Sequence, residues 1–486
     1  MAGLFGLSIN PEQYQKTFTE DLFWGTFYQR HLGEEDTGLG VLKDDWIVHD
    51  SRKGLFAPNF KDRMHEFSGT SGIGYCGNAK EPFFSDSAFG AICVAFTGNI
   101  INREDLLTEL KGLGHLIDRG DDIEVIFTLI VREAVKKGNL IDGIIGMTQK
   151  IKGSYSLLLL SREQGLYAVC CPEYRWPLII GKKEGTVAVS VETGGFNNLG
   201  LEVVRVIEPG EIVLLNNGEF EQVGKMKAPN PRICSFRWDY TDFAASLLLG
   251  IPVSLVRKRL GRRLAQRDIK AGFIPHIVIP VPDSGRFHAI GYHQEFLCQF
   301  MLGNINRIPF SDEYFIKYGF DRSFLRPTDA ERRKTARYKL VISAETVKHF
   351  LQMLEEAGLI NLLQDIKNNG RIILVVCEDS VVRGTQVEEN LVPKARRIFE
   401  VTLDDGTEIK VEIHVRASYP ALLSHCRWGK TTKIGETLAK QCPDIEDRIK
   451  RMKIDGLAYS EIEDLAWAIG LPLEKLCYDC ALADQD

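Results

Sequence analysis

The chain has 486 residues, 44% of them apolar and 26% charged, with a formal net charge of −6. That is globular composition, long enough for two or three domains with full cores, and its acidic balance speaks against a general nucleic-acid or membrane-surface partner. No apolar run is long enough to span a membrane, and the N-terminal MAGLFGLSINPEQYQ turns polar too soon for a signal peptide, so a cytoplasmic protein is expected. The 11 cysteines of such a chain argue against a disulfide framework and leave metal binding or buried thiols.

Short apolar runs dominate the first half: Ala91–Phe96, Ser156–Leu160, Leu178–Ile180, Val187–Val191 and Ile212–Leu215. Segments of helical pattern, Asn102–Gly112 and Ile123–Lys137, lie between them. The pattern predicts an α+β unit with sheet packed on sheet. A Pro-rich hinge, Ala228–Arg232 (APNPR), closes it as a domain boundary.

The second half opens with a helical stretch, Pro252–Ala265, and an apolar strand, Pro275–Val281. Pro282-Asp283-Ser284-Gly285-Arg286 and a predicted helix to Met301 follow. Next comes Ile316–Leu340, which carries Lys317, Arg322, Arg326, Arg332, Arg333, Lys334, Arg337 and Lys339. In an acidic chain, that local basic density needs a reason.

The most informative stretch is Arg371–Gln386 (RIILVVCEDSVVRGTQ). The apolar run Ile372–Cys377 suits a strand of a parallel sheet. Glu378 and Asp379 follow, then Ser380, Arg383, Gly384 and Thr385, then a helical segment to Glu400. Strand, small-residue turn and helix thus occur twice, as a parallel α/β sheet with its ligand at the strand C-termini requires. The later loop offers free N–H groups at a helix N-terminus, a phosphate cradle without P-loop spacing. Adjacent carboxylates above it suit the hydroxyls of a sugar phosphate. An ordinary strand-to-helix turn would account for either motif alone.

Arg371–Gln386 resembles the phosphoribosyl pyrophosphate (PRPP) motif of type I phosphoribosyltransferases, in the form found in the amidophosphoribosyltransferase family. That motif reads strand, two Asp, Ser, two aliphatics, Arg, Gly, Thr, Thr; here Glu378 replaces the first Asp and Gln386 the last Thr. The resemblance implies that Glu378 and Asp379 hold the ribose. It implies that Ser380, Arg383, Gly384 and Thr385 hold the 5′-phosphate, and that Asp283, Ser284 and Gly285 contact pyrophosphate. Ile316–Leu340 closely resembles the family's flexible loop, which implies pyrophosphate contacts for Lys317, Arg322 and Arg332. A solvated basic face or an RNA-binding stripe is the alternative for that loop, and no aromatic-interleaved basic module favours RNA. The family's Lys-Asn-Arg-Tyr reads Lys317-Tyr318-Gly319-Phe320 here, so one loop Arg is missing.

The first half resembles the class II glutamine amidotransferase domain, an Ntn-type αββα sandwich. The resemblance runs through MAGLFGL, Gly72–Gly77, Phe96–Asn102, Asp121–Val125 and Val189–Thr193. A glutaminase of this kind needs an N-terminal thiol with its own α-amine as base. Ala2 stands at the thiol position, Gly77 at the position of the Arg that holds the substrate carboxylate, and Thr97 at that of the oxyanion-hole Asn. Gly98 and Asp122 are kept. Independent departures at Ala2, Gly77 and Thr97 imply natural loss of the glutaminase; an alternative nucleophile, Ser8, would lack its usual partners.

Cys477 and Cys480 form a C-x-x-C, for which metal binding, redox chemistry and chance compete. Cys234 and Cys426 fall with them on positions whose cysteines hold a [4Fe–4S] cluster in the iron–sulfur branch of the family. Four thiolates from distant segments fit that cluster or a zinc ion. The other cysteines, Cys76, Cys93, Cys170, Cys171, Cys298, Cys377 and Cys442, read as buried thiols.

The expected organisation is a glutaminase-like domain over residues 1–232, a parallel-sheet phosphoribosyltransferase over 233–425 and a helical, cluster-binding extension over 426–486. The expected chemistry is phosphoribosyl transfer from PRPP to ammonia with Mg²⁺, in a homo-oligomer, the ammonia free or delivered by a separate protein. A non-catalytic PRPP- or nucleotide-binding regulator and a transferase acting on another amine or base are the alternatives.

Overall fold

The computed structural model describes residues 2–317, 328–429, 432 and 435–483. Its first half holds two antiparallel sheets. One runs in the order Glu202–Val206, Ile179–Lys183, Thr186–Ser190, Gly3–Ile9, Ser71–Gly77, Asp36–Lys43 and Trp46–Lys53. The other runs Glu219–Lys225, Glu211–Asn216, Gly165–Cys170, Gly153–Ser161, Gly90–Ile100 and Phe83–Ser87. Alternation decides the layers. Leu4, Ile73, Tyr75, Cys93, Ala95, Leu158 and Ala168 fill the space between the sheets. Phe5 and Leu7 face outward onto Phe18 and Leu22 of the helix Pro11–Phe27. Ile92, Val94 and Leu157 face Ile126, Ile130 and Ile144 of the helices Asp122–Lys137 and Leu140–Lys150. The result is helix, sheet, sheet, helix, as the amidotransferase resemblance implies.

The second half is built on a parallel sheet. Phe310–Ser311, Ile277–Pro280, Arg371–Glu378, Glu408–Ala417 and Gly456–Tyr459 run side by side, each parallel to the next. Val401–Thr402 adds an antiparallel pair at the start of Glu408–Ala417. The strand Gly456–Tyr459 corrects one expectation: the C-terminal segment is not purely helical, since it supplies an edge of this sheet. Four residues, GLAY, are too few for an alternation pattern to register. The Gln386–Glu400 segment is helical as expected, opening with a wider π-turn over Val387–Leu391 and continuing as an α-helix over Val392–Phe399.

Helices Val253–Lys270 and Gly285–Met301 cover one face of the sheet through Leu264, Ala265, Ala289, Tyr292 and Phe296. They approach through glycines. A Cβ on Gly291 would meet the Lys258 backbone carbon and Cα at 2.6 Å, and one on Gly261 would meet the Tyr292 nitrogen at 3.0 Å. Gly291→Ala gains about 1 kcal/mol of helix propensity but overpacks backbone against backbone, at a cost of up to ~3 kcal/mol. A net loss of about 1–2 kcal/mol is therefore expected, read as a lower urea midpoint at unchanged slope; an unchanged or higher midpoint would show that the helices can move apart.

The halves share one core. Ala2, Leu4 and Tyr75 belong to the same buried cluster as Trp238, Leu465 and Leu476. Polar contacts reinforce it: Glu192 accepts from the Phe243 N–H at 2.9 Å and the Ser246 hydroxyl at 3.1 Å.

Candidate active site

Neighbouring parallel strands deliver their turns to one edge of the sheet. Pro280 lies opposite Cys377, and Glu378 opposite Ala417. The turns after them are stitched by backbone bonds: the Val281 N–H donates to the Cys377 carbonyl at 2.9 Å, and the Tyr419 N–H to the Asp379 carbonyl at 2.8 Å.

Asp379, 3% exposed, is the hub. The Ser284 hydroxyl donates to one carboxylate oxygen and the Ser380 hydroxyl to the other at 2.7 Å. One carboxylate thus joins the Pro282–Gly285 turn to the Glu378–Thr385 turn. Gly285 is required by close approach, since a Cβ there would strike the Cys377 carbonyl oxygen. Gly384 takes φ +74°, which favours glycine, and its carbonyl accepts the Glu388 N–H at 2.9 Å as the helical segment begins. Glu378 is 8% exposed beside Asp379. Asp283 sits at the rim, where Lys317 Nζ donates to it at 2.8 Å and Arg286 Nη1 at 3.3 Å. Arg383 Nε donates to Glu436 at 3.1 Å. Thr385 is half-buried. Gln386, in place of the family's Thr, buries both amide atoms without a hydrogen-bond partner among the described residues. Arg322 lies outside the described residues, as does the Arg332 side chain.

Three buried groups behind these turns escaped sequence reasoning: Asp239, His288 and Ser418. They lie far apart in the chain, and no local spacing links them.

In the first half, Ala2, Gly77, Thr97 and Asp122, at the positions the amidotransferase resemblance singles out, are all buried. The Ala2 N–H donates to Thr97 Oγ1 at 2.9 Å, in a pair that is 6% and 1% exposed. A Cβ on Gly77 would run into the hydroxyl end of Tyr75. Tyr75 leans over Gly77 from the same strand face and is itself only 2% exposed, so it occupies the room that a side chain at residue 77 needs. Asp122 has Arg103 Nη1 at 3.8 Å. Ser8 is fully buried, with the Ser71 hydroxyl at 3.1 Å.

Cys234, Cys426, Cys477 and Cys480 converge from distant segments. Ile233–Cys234 pairs in parallel with Leu476–Cys477, Cys234 opposite Cys477. The Ser235 N–H donates to the Cys477 carbonyl at 3.0 Å, and the Leu423 and Ser424 N–H groups to the Cys480 carbonyl at 2.9 and 3.1 Å. The Tyr419 hydroxyl lies 3.8 Å from Cys480 Sγ. Burial, then the nearby Cys477, pushes the Cys426 thiol up to about 11. Burial and the other three cysteines push Cys480 up as well. Among the described residues no group of three or more His, Cys, Asp or Glu is closed to metal-binding distance, yet the four thiols lie within electrostatic range of one another. Cys298 departs from expectation: it is exposed on the Gly285–Met301 helix, and Cys442 is half-buried. Apolar neighbours in sequence mark a helix, not which of its faces is covered.

Over the site Asp479 accepts from Arg232 Nη1 at 2.9 Å and from Trp428 Nε1 at 2.8 Å. Arg175, from the first half, stacks on the Trp428 ring at 4.4 Å, and Asn99 donates to the Arg427 carbonyl at 2.8 Å.

A family model described as a glutamine amidotransferase domain matches residues 73–196. The amidophosphoribosyltransferase of Methanothermobacter thermautotrophicus is 30% identical over 490 residues, covering 98% of this chain and 93% of that protein. That of Methanocaldococcus jannaschii is 29% identical, covering 99% and 96%. Among solved structures, the glutamine PRPP amidotransferase from B. subtilis complexed with ADP and GMP superposes with a TM-score of 0.77, covering 100% of this chain and 98% of that one at 24% identity.

Proposed function

The chain belongs to the amidophosphoribosyltransferase family, and from that footing we propose that it transfers the phosphoribosyl group of PRPP to ammonia without hydrolysing glutamine. The observation that carries the transferase half is the Asp379 hub, which joins the Ser284 turn to the Ser380 turn on neighbouring strands. Glu378 and Asp379 accept hydrogen bonds from the ribose hydroxyls. The backbone of Ser380, Arg383, Gly384 and Thr385 receives the 5′-phosphate. Asp283, Ser284 and Gly285, with Lys317, Arg322 and Arg332, orient the pyrophosphate. Lys317 exchanges its bond to Asp283 for one to the ligand, a swap of one charged acceptor for another. At the ribose C1 the bond to the pyrophosphate oxygen breaks with its electron pair. The ammonia lone pair forms the C1–N bond, and the nitrogen sheds a proton. Hard oxygen donors suit Mg²⁺; Glu378, Asp379 and Asp283 stand where they could steady it, and it supplies charge neutralisation for the leaving pyrophosphate.

The loss of the glutaminase rests on Tyr75 filling the space beside Gly77 and on the absent thiol at Ala2. Ammonia then comes from solution or from a separate protein. Four thiolates would also suit a zinc ion; the [4Fe–4S] cluster is preferred because Cys234, Cys426, Cys477 and Cys480 fall on all four cysteine positions of the iron–sulfur pattern. When bound, it would tie the C-terminal segment to the transferase core.

Pyrophosphate release from PRPP and Mg²⁺ tests the reading, with ammonia and glutamine in parallel. Release with ammonia alone is expected. Release with glutamine would overturn the assignment of Ala2, Gly77 and Thr97. No release with either donor, alongside PRPP binding, would replace the transferase with a PRPP-binding regulator or a transferase for another acceptor.

A further inference from the structure

Behind the acidic turn, Asp239, His288 and Ser418 are completely buried, each at 0% exposure. They come from the Arg237–Thr241 turn, the Gly285–Met301 helix and the residue after the Glu408–Ala417 strand. Ser418 Oγ lies 2.8 Å from Asp239 Oδ1 and 3.0 Å from His288 Nε2. It also lies 3.2 Å from the Asp379 carbonyl oxygen and 3.3 Å from that of Glu378. The Ser418 N–H donates to the same Glu378 carbonyl at 3.0 Å. Ser418 holds the Glu378 carbonyl through its N–H, and its hydroxyl oxygen packs against the backbone of both acids.

Counting protons constrains the network. His288 Nδ1 faces the Arg257 carbonyl oxygen at 3.0 Å, so Nδ1 carries a hydrogen. A neutral imidazole then leaves Nε2 bare. Ser418 has one hydroxyl proton. With Asp239 ionised, that proton would face only acceptors: a carboxylate, an imidazole lone pair and two carbonyls. Asp239 Oδ2 has no hydrogen-bond partner among the described residues, and a buried carboxylate with a bare oxygen is costly. One further proton on Oδ1 resolves the shortage. Asp239 then donates to Ser418 Oγ, Ser418 donates to His288 Nε2, and His288 Nδ1–H donates to Arg257.

The other place for that proton is His288 Nε2, which lies 3.4 Å from the Asp239 carbonyl oxygen and 3.5 Å from Asp239 Oδ1. Burial disfavours it, driving the imidazole down to about 3. Burial and the neighbouring Asp379 charge drive Asp239 up. Against these, among the described residues, a hydrogen bond from the Ser418 hydroxyl and the Arg257 charge favour the anion; the Arg257 guanidinium donates to the Trp238 and Asp242 carbonyls at 2.9 and 2.7 Å.

We propose that Asp239 is held as a neutral carboxylic acid and, through Ser418, is a positioning residue for the Glu378–Asp379 turn, keeping the turn's negative charge on the acids that face the ligand. Its consequence for PRPP rests on the transferase reading; the protonation itself does not. The sign follows directly. The neutral form is the competent one, so PRPP affinity is held while Asp239 stays protonated and falls as pH rises through its raised value.

Asp239→Asn keeps the shape and a donor to Ser418 but cannot ionise. The infrared spectrum of the wild-type protein at neutral pH should carry a protonated-carboxyl stretch that D239N lacks; no such difference would overturn the proposal. Titrated with PRPP and Mg²⁺ at rising pH, wild type should lose about tenfold in affinity as a like charge appears beside Asp379, while D239N stays flat. Identical profiles would overturn it as well. Asp239→Leu should lose affinity that D239N retains. Wild type that binds no PRPP at any pH would sink the transferase reading, and the infrared difference would then decide the protonation alone.

Discussion

Asp379→Asn should lower kcat/KM for PRPP by about a thousandfold while leaving the fold intact. The carboxylate sits between two hydroxyl donors, Ser284 and Ser380, and on the proposed transferase reading is the charged acceptor for the ribose. An amide turns one acceptor oxygen into a donor and removes the charge. Two charge-assisted hydrogen bonds at about 1.5–3 kcal/mol each are lost, ~3–6 kcal/mol in all, or roughly 10²–10⁴ in rate constant. Because Asn is isosteric, far-UV circular dichroism and the melting temperature should move little. Initial rates of pyrophosphate release against PRPP concentration make the measurement. Activity within about threefold of wild type would remove Asp379 from the ribose site, since even one such bond exceeds that difference.

The second large effect belongs to the cysteines. Cys477→Ala should abolish iron binding and the visible absorbance of the anaerobically purified protein, and should loosen the C-terminus. Cys477 is opposite Cys234 in a two-strand pairing, and its carbonyl accepts from Ser235 through both the N–H at 3.0 Å and the hydroxyl at 2.9 Å. A pairing this short is marginal without support. Structural metal sites supply on the order of 10 kcal/mol to the folds they close, so losing one ligand should cost several. Iron content, the melting curve and proteolysis after the Cys477–Cys480 segment read it out. Stoichiometric zinc would replace the cluster by a tetrahedral ion. Absence of any metal, with an unchanged melt in C477A, would reduce the four thiols to core packing.

Much of this was legible in the sequence because parallel-sheet strands advertise themselves. Ile372–Cys377 lies within the strand Arg371–Glu378, and the helix expected to end at Met301 does so. A buried strand must be apolar on both faces, and a small-residue turn must follow where backbone meets ligand. The departures at Ala2, Gly77 and Thr97 were visible as residue types. Their surroundings were not. Tyr75 fills the room beside Gly77 through a two-residue offset along one strand, which looks like ordinary alternation when read linearly. Nor could sequence disclose the Asp239–His288–Ser418 network, whose members are joined only by the crossing of a turn, a helix and a strand end. Gly456–Tyr459 was hidden for a different reason: an edge strand gains most of its stability from its neighbour, here His414–Ala417, and little from its own four residues.

The contacts of Arg175 with Trp428 and of Asn99 with Arg427 bear on inheritance. On the proposed reading the first half has lost its glutaminase chemistry, and such a half is ordinarily free to be trimmed away by deletion. Here the first 232 residues furnish one wall of the cysteine compartment and share a core with Trp238 and Leu476. Any shortened descendant would uncover both at once. On that reading, selection on the transferase would preserve the fold of its neighbour while leaving the amidotransferase-like pocket free to drift.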